Sequence, residues 1–205
     1  KVHSLTYKED SAKFMSSMYN FSLIQCVENL KALSLEVDCS SNQKSFTEAL
    51  DYFVIPPGLE EFDLLLLKSN PKDWDKMNTD QKFFQSLVQA KHLKILKLSI
   101  QQPFYFLNDK SVSQYNMNCF VFLKACLRSI EAKLESLTVT FTYDKIADAE
   151  LIKLMLKFQS LKHVNFSFPI PDTEENKLAF LEFKGDLEKL SVSEDPFAIL
   201  SLPFE

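Results

Sequence analysis

The sequence repeats one short pattern of apolar residues seven times, and this repetition restricts the folds that the chain can adopt. The pattern is apolar-x-x-apolar-x-apolar, and successive copies begin between 26 and 41 residues apart. The copies begin at Val2, Leu30, Leu59, Leu93, Leu134, Leu161 and Leu187. Such a period is typical of architectures in which each unit packs only against its neighbours. We therefore expect one structural unit to recur along nearly the whole chain.

Each copy is predicted to be a β-strand followed by a helix. Residues 134–141 alternate apolar and polar side chains, as a strand does when one face is buried and the other is hydrated. Between the strands, apolar residues recur at helical spacing, as at Cys119, Phe122, Leu123, Cys126, Leu127 and Ile130. Strands that alternate with helices are parallel. Six of the seven strands keep a polar face, the exception being residues 62–67, whereas a doubly wound sheet would bury both faces.

This pattern predicts an α/β solenoid with a parallel sheet on the concave face and helices on the convex face. Strands should start near the first residue of each copy. Helices are expected near residues 18–28, 46–54, 79–91, 117–132, 146–159 and 173–183, with boundaries uncertain by about four residues.

The repeats resemble the leucine-rich repeat family, specifically its long, ribonuclease-inhibitor-like repeats, over residues 2 to about 193. They are divergent, because the position where many such repeats place Asn holds Asp10, Asp38, Leu67, Gln101, Thr142, Pro169 and Asp195. The resemblance implies a horseshoe that binds a partner through its concave face or rim. We expect residues 1–205 to form a single leucine-rich repeat domain of about seven repeats, as a fragment of a longer chain or as one subunit of an assembly.

The two ends of the predicted solenoid differ. The first strand would leave Val2, Leu5 and Tyr7 at an end without a cap, and terminal repeats normally need one. Residues 194–205 are rich in apolar side chains that would suit the other end. We therefore expect sequence upstream of Lys1 or a partner docked on that edge.

Composition argues against several function classes. The net charge is −5 and Arg128 is the only arginine, so a basic nucleic-acid footprint is not expected. With only Gly58 and Gly185, the chain has no Gly-rich loop that could bind phosphate. No apolar stretch approaches the length of a membrane span of about 18 residues.

Metal, cofactor and catalytic signatures are also missing from the sequence. The four cysteines form no CxxC pair and have no histidine at metal-ligand spacing. We interpret them as reduced thiols of an intracellular protein, cytoplasmic or nuclear. The three histidines, His3, His92 and His163, occupy different positions within the repeats. Paired carboxylates such as Glu60 and Glu61 are interpreted as solvated charges. We therefore expect no cofactor and no enzymatic activity.

The candidate binding residues lie in the third and fourth repeats. Strand alternation points Leu65 and Ile95 outward, where they would form an apolar centre surrounded by Glu36, Glu61, Asp63 and Lys97. The same two repeats carry insertions, residues 68–80 and 101–117, which contain Trp74, Phe104, Tyr105 and Phe106. Two alternatives stay open. The outward face could simply be a hydrated sheet surface, and the aromatic residues could cover the solenoid's own apolar edge.

These features predict a non-enzymatic scaffold or adaptor for protein–protein interaction. Its partner is expected to present a basic and apolar surface. The alternative is a substrate-receptor or structural subunit of a larger complex that includes nucleic acid or an enzyme.

Overall fold

The computed structural model describes residues 2–9, 24, 26–38, 51–67, 80–101, 121–141, 149–166, 173–181 and 189–192. Within these ranges the strands are β1 (Ser4–Glu9), β2 (Ala32–Asp38), β3 (Glu61–Leu67), β4 (Ile95–Gln101), β5 (Ser136–Phe141), β6 (His163–Phe166) and β7 (Lys189–Val192). The helices in the described ranges are α1 (Lys82–Gln89), α2 (121–129), α3 (Ala149–Leu156) and α4 (Glu174–Leu181).

The strands form one open parallel sheet whose spatial order follows the order of the sequence. The expected parallel pairing between the strands near Leu93 and Leu134 is confirmed, because β4 and β5 pair in parallel with Ile95 opposite Ser136. Parallel neighbours need crossover connections. The chain is therefore an α/β protein in which each repeat adds one strand to the same sheet.

The strand registers place equivalent positions of the repeats side by side. The second apolar position of the pattern forms the row Leu5, Leu33, Phe62, Leu96, Leu137, Val164 and Leu190. The third forms the row Tyr7, Leu35, Leu64, Leu98, Val139, Phe166 and Val192. Because successive strand side chains point to opposite faces, both rows belong to one face, which we call the inner face.

Each strand begins two residues after the first apolar residue of its copy. That residue instead ends a tight turn, as where the Leu59, Leu93 and Leu161 N–H groups donate to the carbonyls three residues earlier, at 3.1, 3.2 and 3.0 Å. These leucines are buried in the turn. In the second to sixth copies the first apolar position is therefore part of the core, whereas Val2 of the first copy is exposed.

The helices pack on the inner face through aromatic rings. Phe83 of α1 lies with its ring centroid 6.3 Å from that of Phe62 in β3, and 6.1 Å from that of Phe122 in α2. Phe53 stacks on Phe83 at 5.7 Å from the preceding loop. Buried side chains of the sheet and of the helices form one cluster. The core therefore lies between the sheet and the helical layer.

Four of the predicted helices are observed within their expected ranges, but the helix predicted over 46–54 is wrong for its described end. Residues 51–54 form a turn and irregular backbone. Pro56 and Pro57 follow, and a proline disfavours helical geometry in the residue before it. The Ile55 N–H donates to Ser86 Oγ at 2.9 Å, a partner outside its own segment. The prediction for 18–28 lies largely outside the described residues.

Candidate interaction surface

The sheet has a second face, the outer face, opposite the helical layer. It is formed by alternate strand positions whose side chains are half-buried or exposed. Its described members are Ser4, Thr6, Lys8, Ala32, Ser34, Glu36, Glu61, Asp63, Leu65, Leu67, Ile95, Lys97, Ser99, Gln101, Ser136, Thr138, Thr140, His163 and Asn165. The pattern in β3 and β4 alternates strictly between half-buried outer and buried inner residues until the exposed Gln101. The outward orientation predicted for Leu65 and Ile95 follows directly from this register.

Two ion pairs link adjacent strands on the outer face. Lys97 Nζ donates to Glu61 Oε1 at 2.8 Å, and Lys8 Nζ lies 2.6 Å from Glu36 Oε2. The hydrogen bond to the Glu61 carboxylate is the main cause that raises the pKa of Lys97. Glu36 and Glu61 are therefore both neutralised within the chain.

Asp63 differs from these two carboxylates. It lies between Ser34 and Lys97 in the strand register, and a hydrogen bond links its side chain to that of Ser34. Burial raises the pKa of Asp63, Glu61 adds to the rise, and Lys97 and Ser34 oppose it. No ion pair to Asp63 occurs among the residues that the structure describes. Of the three outer-face carboxylates described, it is the one least compensated by a cation.

Leu65 and Ile95 are not neighbours in the strand register. Leu65 in β3 pairs with Ser99 in β4. Ile95 in β4 pairs with Glu61, which lies four residues before Leu65 in β3. Four residues correspond to about 13 Å along a strand. The row that contains Asp63 and Lys97 lies between them. The outer face thus presents apolar side chains on both sides of a charged row, Leu65 and Leu67 towards the carboxyl ends of the strands and Ala32 and Ile95 towards the amino ends.

The aromatic insertion residues lie outside the described residues. This applies to Trp74, Phe104, Tyr105 and Phe106. The insertions leave the sheet at the carboxyl ends of two adjacent strands, since β3 ends at Leu67 and β4 at Gln101. Their function stays a prediction.

Glu60 has partners that the sequence interpretation missed. It precedes β3 at the amino edge of the sheet, and its two carboxylate oxygens bind different lysines, Lys31 at 2.7 Å and Lys94 at 3.1 Å. These hydrogen bonds lower the pKa of Glu60 to about 2. The signal was present in the sequence, because Lys31, Glu60 and Lys94 occupy the same position of three successive repeats.

The outer face differs between its two halves. On β1 to β4 it carries the five described charges, those of Lys8, Glu36, Glu61, Asp63 and Lys97. On β5 and β6 the described positions are uncharged hydroxyl and amide side chains with one histidine, namely Ser136, Thr138, Thr140, His163 and Asn165. Among the outer-face side chains that the structure describes, the charges therefore lie on the first half.

A shallow cleft of about 480 Å³ lies away from this face, between the turns that precede β5 and β6. On its wall, Lys157 Nζ donates to the carbonyls of Leu127 and Ile130 at the carboxyl end of α2. Burial lowers the pKa of Lys157. Because these carbonyls lack partners within their own helix, Lys157 serves as a cap supplied by the next repeat.

Two further properties concern only the described ranges. These ranges contain no group of three or more His, Cys, Asp or Glu side chains suited to hold a metal ion. They also contain no helix long and apolar enough to cross a membrane.

Comparison with known proteins gives no relative for this chain. No protein-family model, no curated protein and no solved structure matches it.

Proposed function

We propose that the chain is a divergent leucine-rich repeat solenoid that acts as a non-enzymatic scaffold for protein–protein interaction. In this proposal the sheet lines the concave side and the helices the convex side. Support comes from the sheet, in which each repeat adds one parallel strand in the same register. The proposed partner site comprises the outer face at β2 to β4 and the insertions that follow β3 and β4.

The observation that carries the proposal is the contrast between the two faces of β3 and β4. Inner residues such as Leu64 and Leu98 are at most 3% exposed, while their neighbours Leu65 and Lys97 keep contact with solvent. A strand needs only one buried face to hold its place in a sheet covered by helices on one side. The second face is therefore available for binding.

The chemistry of the outer face defines the partner. Leu65 and Ile95 offer apolar contacts on either side of Asp63, whose charge is the least compensated. A partner that places a Lys or Arg side chain at Asp63, with apolar side chains beside it, would match this arrangement. The intracellular location is part of the same proposal and is compatible with Cys26 and Cys126, neither of which is in a disulfide.

The experiment requires a partner, which can be trapped by cross-linking in cells and identified by mass spectrometry. Binding to that purified partner is then measured by calorimetry for the native chain and for Leu65→Asp and Ile95→Asp. The matched control is Leu178→Asp, because Leu178 is 53% exposed on α4, away from the sheet. Loss of an interface anchor typically costs about 2 kcal/mol or more, or roughly thirtyfold in Kd.

We expect both outer-face variants to weaken binding while the control binds as the native chain does. Native affinity in both outer-face variants, with their fold intact by circular dichroism, would place the site elsewhere. A second comparison, with residues 101–117 deleted, tests the contribution of the insertion separately.

A further inference from the structure

One position of the repeat alternates in charge along the sequence. It is the residue that follows the first apolar residue of each copy. From the second copy onward it holds Lys31, Glu60, Lys94, Glu135, Lys162 and Glu188. We call the five described members of this series, Lys31 to Lys162, the charge ladder. The alternation in sign is independent of the apolar pattern that defines the repeats.

The backbone places successive members of the charge ladder next to one another. The Lys31 carbonyl accepts hydrogen bonds from the N–H groups of Glu60 and Glu61 at 2.8 and 2.9 Å. The Glu60 carbonyl accepts from Lys94 and Ile95 in the same way, at 2.8 and 3.0 Å. The arrangement recurs at Lys94 and Glu135, with distances of 2.8 to 3.1 Å. Each ladder residue therefore lies at the spacing of neighbouring strands, about 4.8 Å, from the next.

The side chains form ion pairs at two of the four described steps of the charge ladder, both of them at Glu60. Glu60 binds Lys31 with one carboxylate oxygen and Lys94 with the other, at 2.7 and 3.1 Å. One carboxylate thereby joins the starts of three successive strands. Two lysines two steps apart lie about 10 Å from each other, near the screening length at physiological salt.

The apolar pattern alone does not identify which repeat belongs beside which. Apart from Phe62, the inner rows of β2 to β5 present aliphatic side chains in the same register, so a strand placed beside the wrong neighbour would bury a comparable surface. Repeat proteins commonly misassemble in this manner, and parallel sheets form slowly. Specificity requires a feature that penalises the wrong neighbour.

We propose that the charge ladder sets the order in which the repeats stack. Neighbours in sequence meet as opposite charges. A strand that skipped one repeat, or that paired with the same repeat of a second copy, would meet a like charge. Exposed ion pairs add little stability individually, so the main effect lies in discriminating against wrong neighbours while the sheet assembles. This inference does not depend on the proposed function.

The test uses variants of the full chain in which Lys and Glu are exchanged between positions of the charge ladder. The composition and the net charge of the chain therefore stay unchanged. Glu60→Lys with Lys94→Glu creates two like-charge contacts, Lys31 with position 60 and position 94 with Glu135. Adding Lys31→Glu and Glu135→Lys gives both of these contacts opposite charges again. One like-charge contact remains, between the lysine at position 135 and Lys162. The fourfold variant carries more substitutions but fewer clashes. Each chain is refolded from denaturant at low salt, and the monomer yield is measured by size-exclusion chromatography.

We expect the twofold variant to give the lowest monomer yield and a Tm about 2–4 °C below that of the native chain. The fourfold variant should recover most of both losses, and 0.5 M NaCl should reduce the differences. Equal monomer yields for all three chains would overturn the proposal, even if the Tm values differ, because the ladder would then add only stability. A fourfold variant that refolds worse than the twofold variant would also overturn it.

Discussion

The two faces of the same strands follow different rules. On the inner face every described position of β2 to β5 is aliphatic or aromatic and almost fully buried. On the outer face, one row runs from Ser34 through Asp63 and Lys97 to Thr138. A position constrained by packing accepts few residue types, whereas a hydrated position accepts many. The comparison indicates that the inner face determines the fold and that the outer face is free to carry binding chemistry.

The largest effect is expected from truncating an inner aromatic residue. Phe62 is fully buried and packs on the rings of Phe53 and Phe83. Phe62→Ala should lower the free energy of unfolding by about 3–5 kcal/mol, measured by denaturant titration. Ile95→Ala on the outer face is the control and should cost far less. Comparable losses for the two variants would show that the outer face is also part of the core.

A second, smaller effect concerns a buried hydroxyl, that of Ser86, which joins the helical layer to the loop before β3. Ser86 Oγ accepts from the Ile55 N–H at 2.9 Å and donates to the Phe83 carbonyl at 2.7 Å. Ser86→Ala leaves the Ile55 N–H without this acceptor and should cost about 1–3 kcal/mol of unfolding free energy. Ser129→Ala is the control, because its half-buried hydroxyl only donates to the Ala125 carbonyl. A cost at Ser86 no larger than at Ser129 would contradict this interpretation.

On the outer face, removal of a charge should stabilise the chain. Because burial raises the pKa of Asp63, the folded state binds this proton more tightly than the unfolded chain does. Ionised Asp63 therefore costs stability at neutral pH, and the cost vanishes as the pH falls below the ordinary value of 3.8. Asp63→Asn should raise Tm slightly at pH 7 and lose that advantage near pH 3.8. A lower Tm for Asp63→Asn at pH 7 would show that the attraction of Lys97 and the hydrogen bond with Ser34 outweigh its burial.

The smallest effect on Tm is expected for Glu60 at the exposed edge of the sheet. Removal of this charge should lower Tm, whereas removal of the Asp63 charge should raise it. The pKa of Glu60 is lowered from 4.5 to about 2, so its ionised form stabilises the folded chain above pH 4.5. That contribution is lost as the pH falls through about 2. Glu60→Gln should lower Tm slightly at pH 7, less so at high salt, and should match the native chain near pH 2. A loss that persists at pH 2 would assign the effect to packing.

The inner face could be predicted from the sequence because its signal is periodic. Alternation along each strand and the spacing between copies indicated the parallel order, the buried rows and the outward placement of Leu65 and Ile95. The strands start two residues after the first apolar residue of each copy, within the expected margin, and a buried leucine such as Leu59 in a turn is indistinguishable by pattern from the first residue of a strand. The end of the helix predicted over 46–54 was missed because Pro56 and the hydrogen bond from Ile55 to Ser86 override the local apolar spacing.

The outer face was harder to predict, since its organisation depends on neighbours far apart in sequence. Alternation places Leu65 and Ile95 on one face, but only the register shows that they are separated by the row of Asp63 and Lys97. The pairing of Lys97 with Glu61 instead of with Asp63, directly opposite it in the register, likewise depends on side-chain geometry. A repeat pattern predicts which positions are exposed and leaves open which of them interact.

The central claim, that one face of the sheet is core and the other is open for binding, can be tested by thiol labelling. Ser99→Cys and Thr138→Cys place thiols on the outer face, and Val139→Cys places one on the inner face with little change in volume. Cys26 is an exposed internal reference and Cys126 a buried one, whose thiol pKa is raised by burial. Reaction with iodoacetamide is followed for each peptide by mass spectrometry.

The structure predicts that the thiols at positions 99 and 138 react at rates near that of Cys26, while the thiol at 139 stays as protected as Cys126. Outer-face thiols that react as slowly as Cys126 in the folded chain would show that this face is covered, and would contradict the claim.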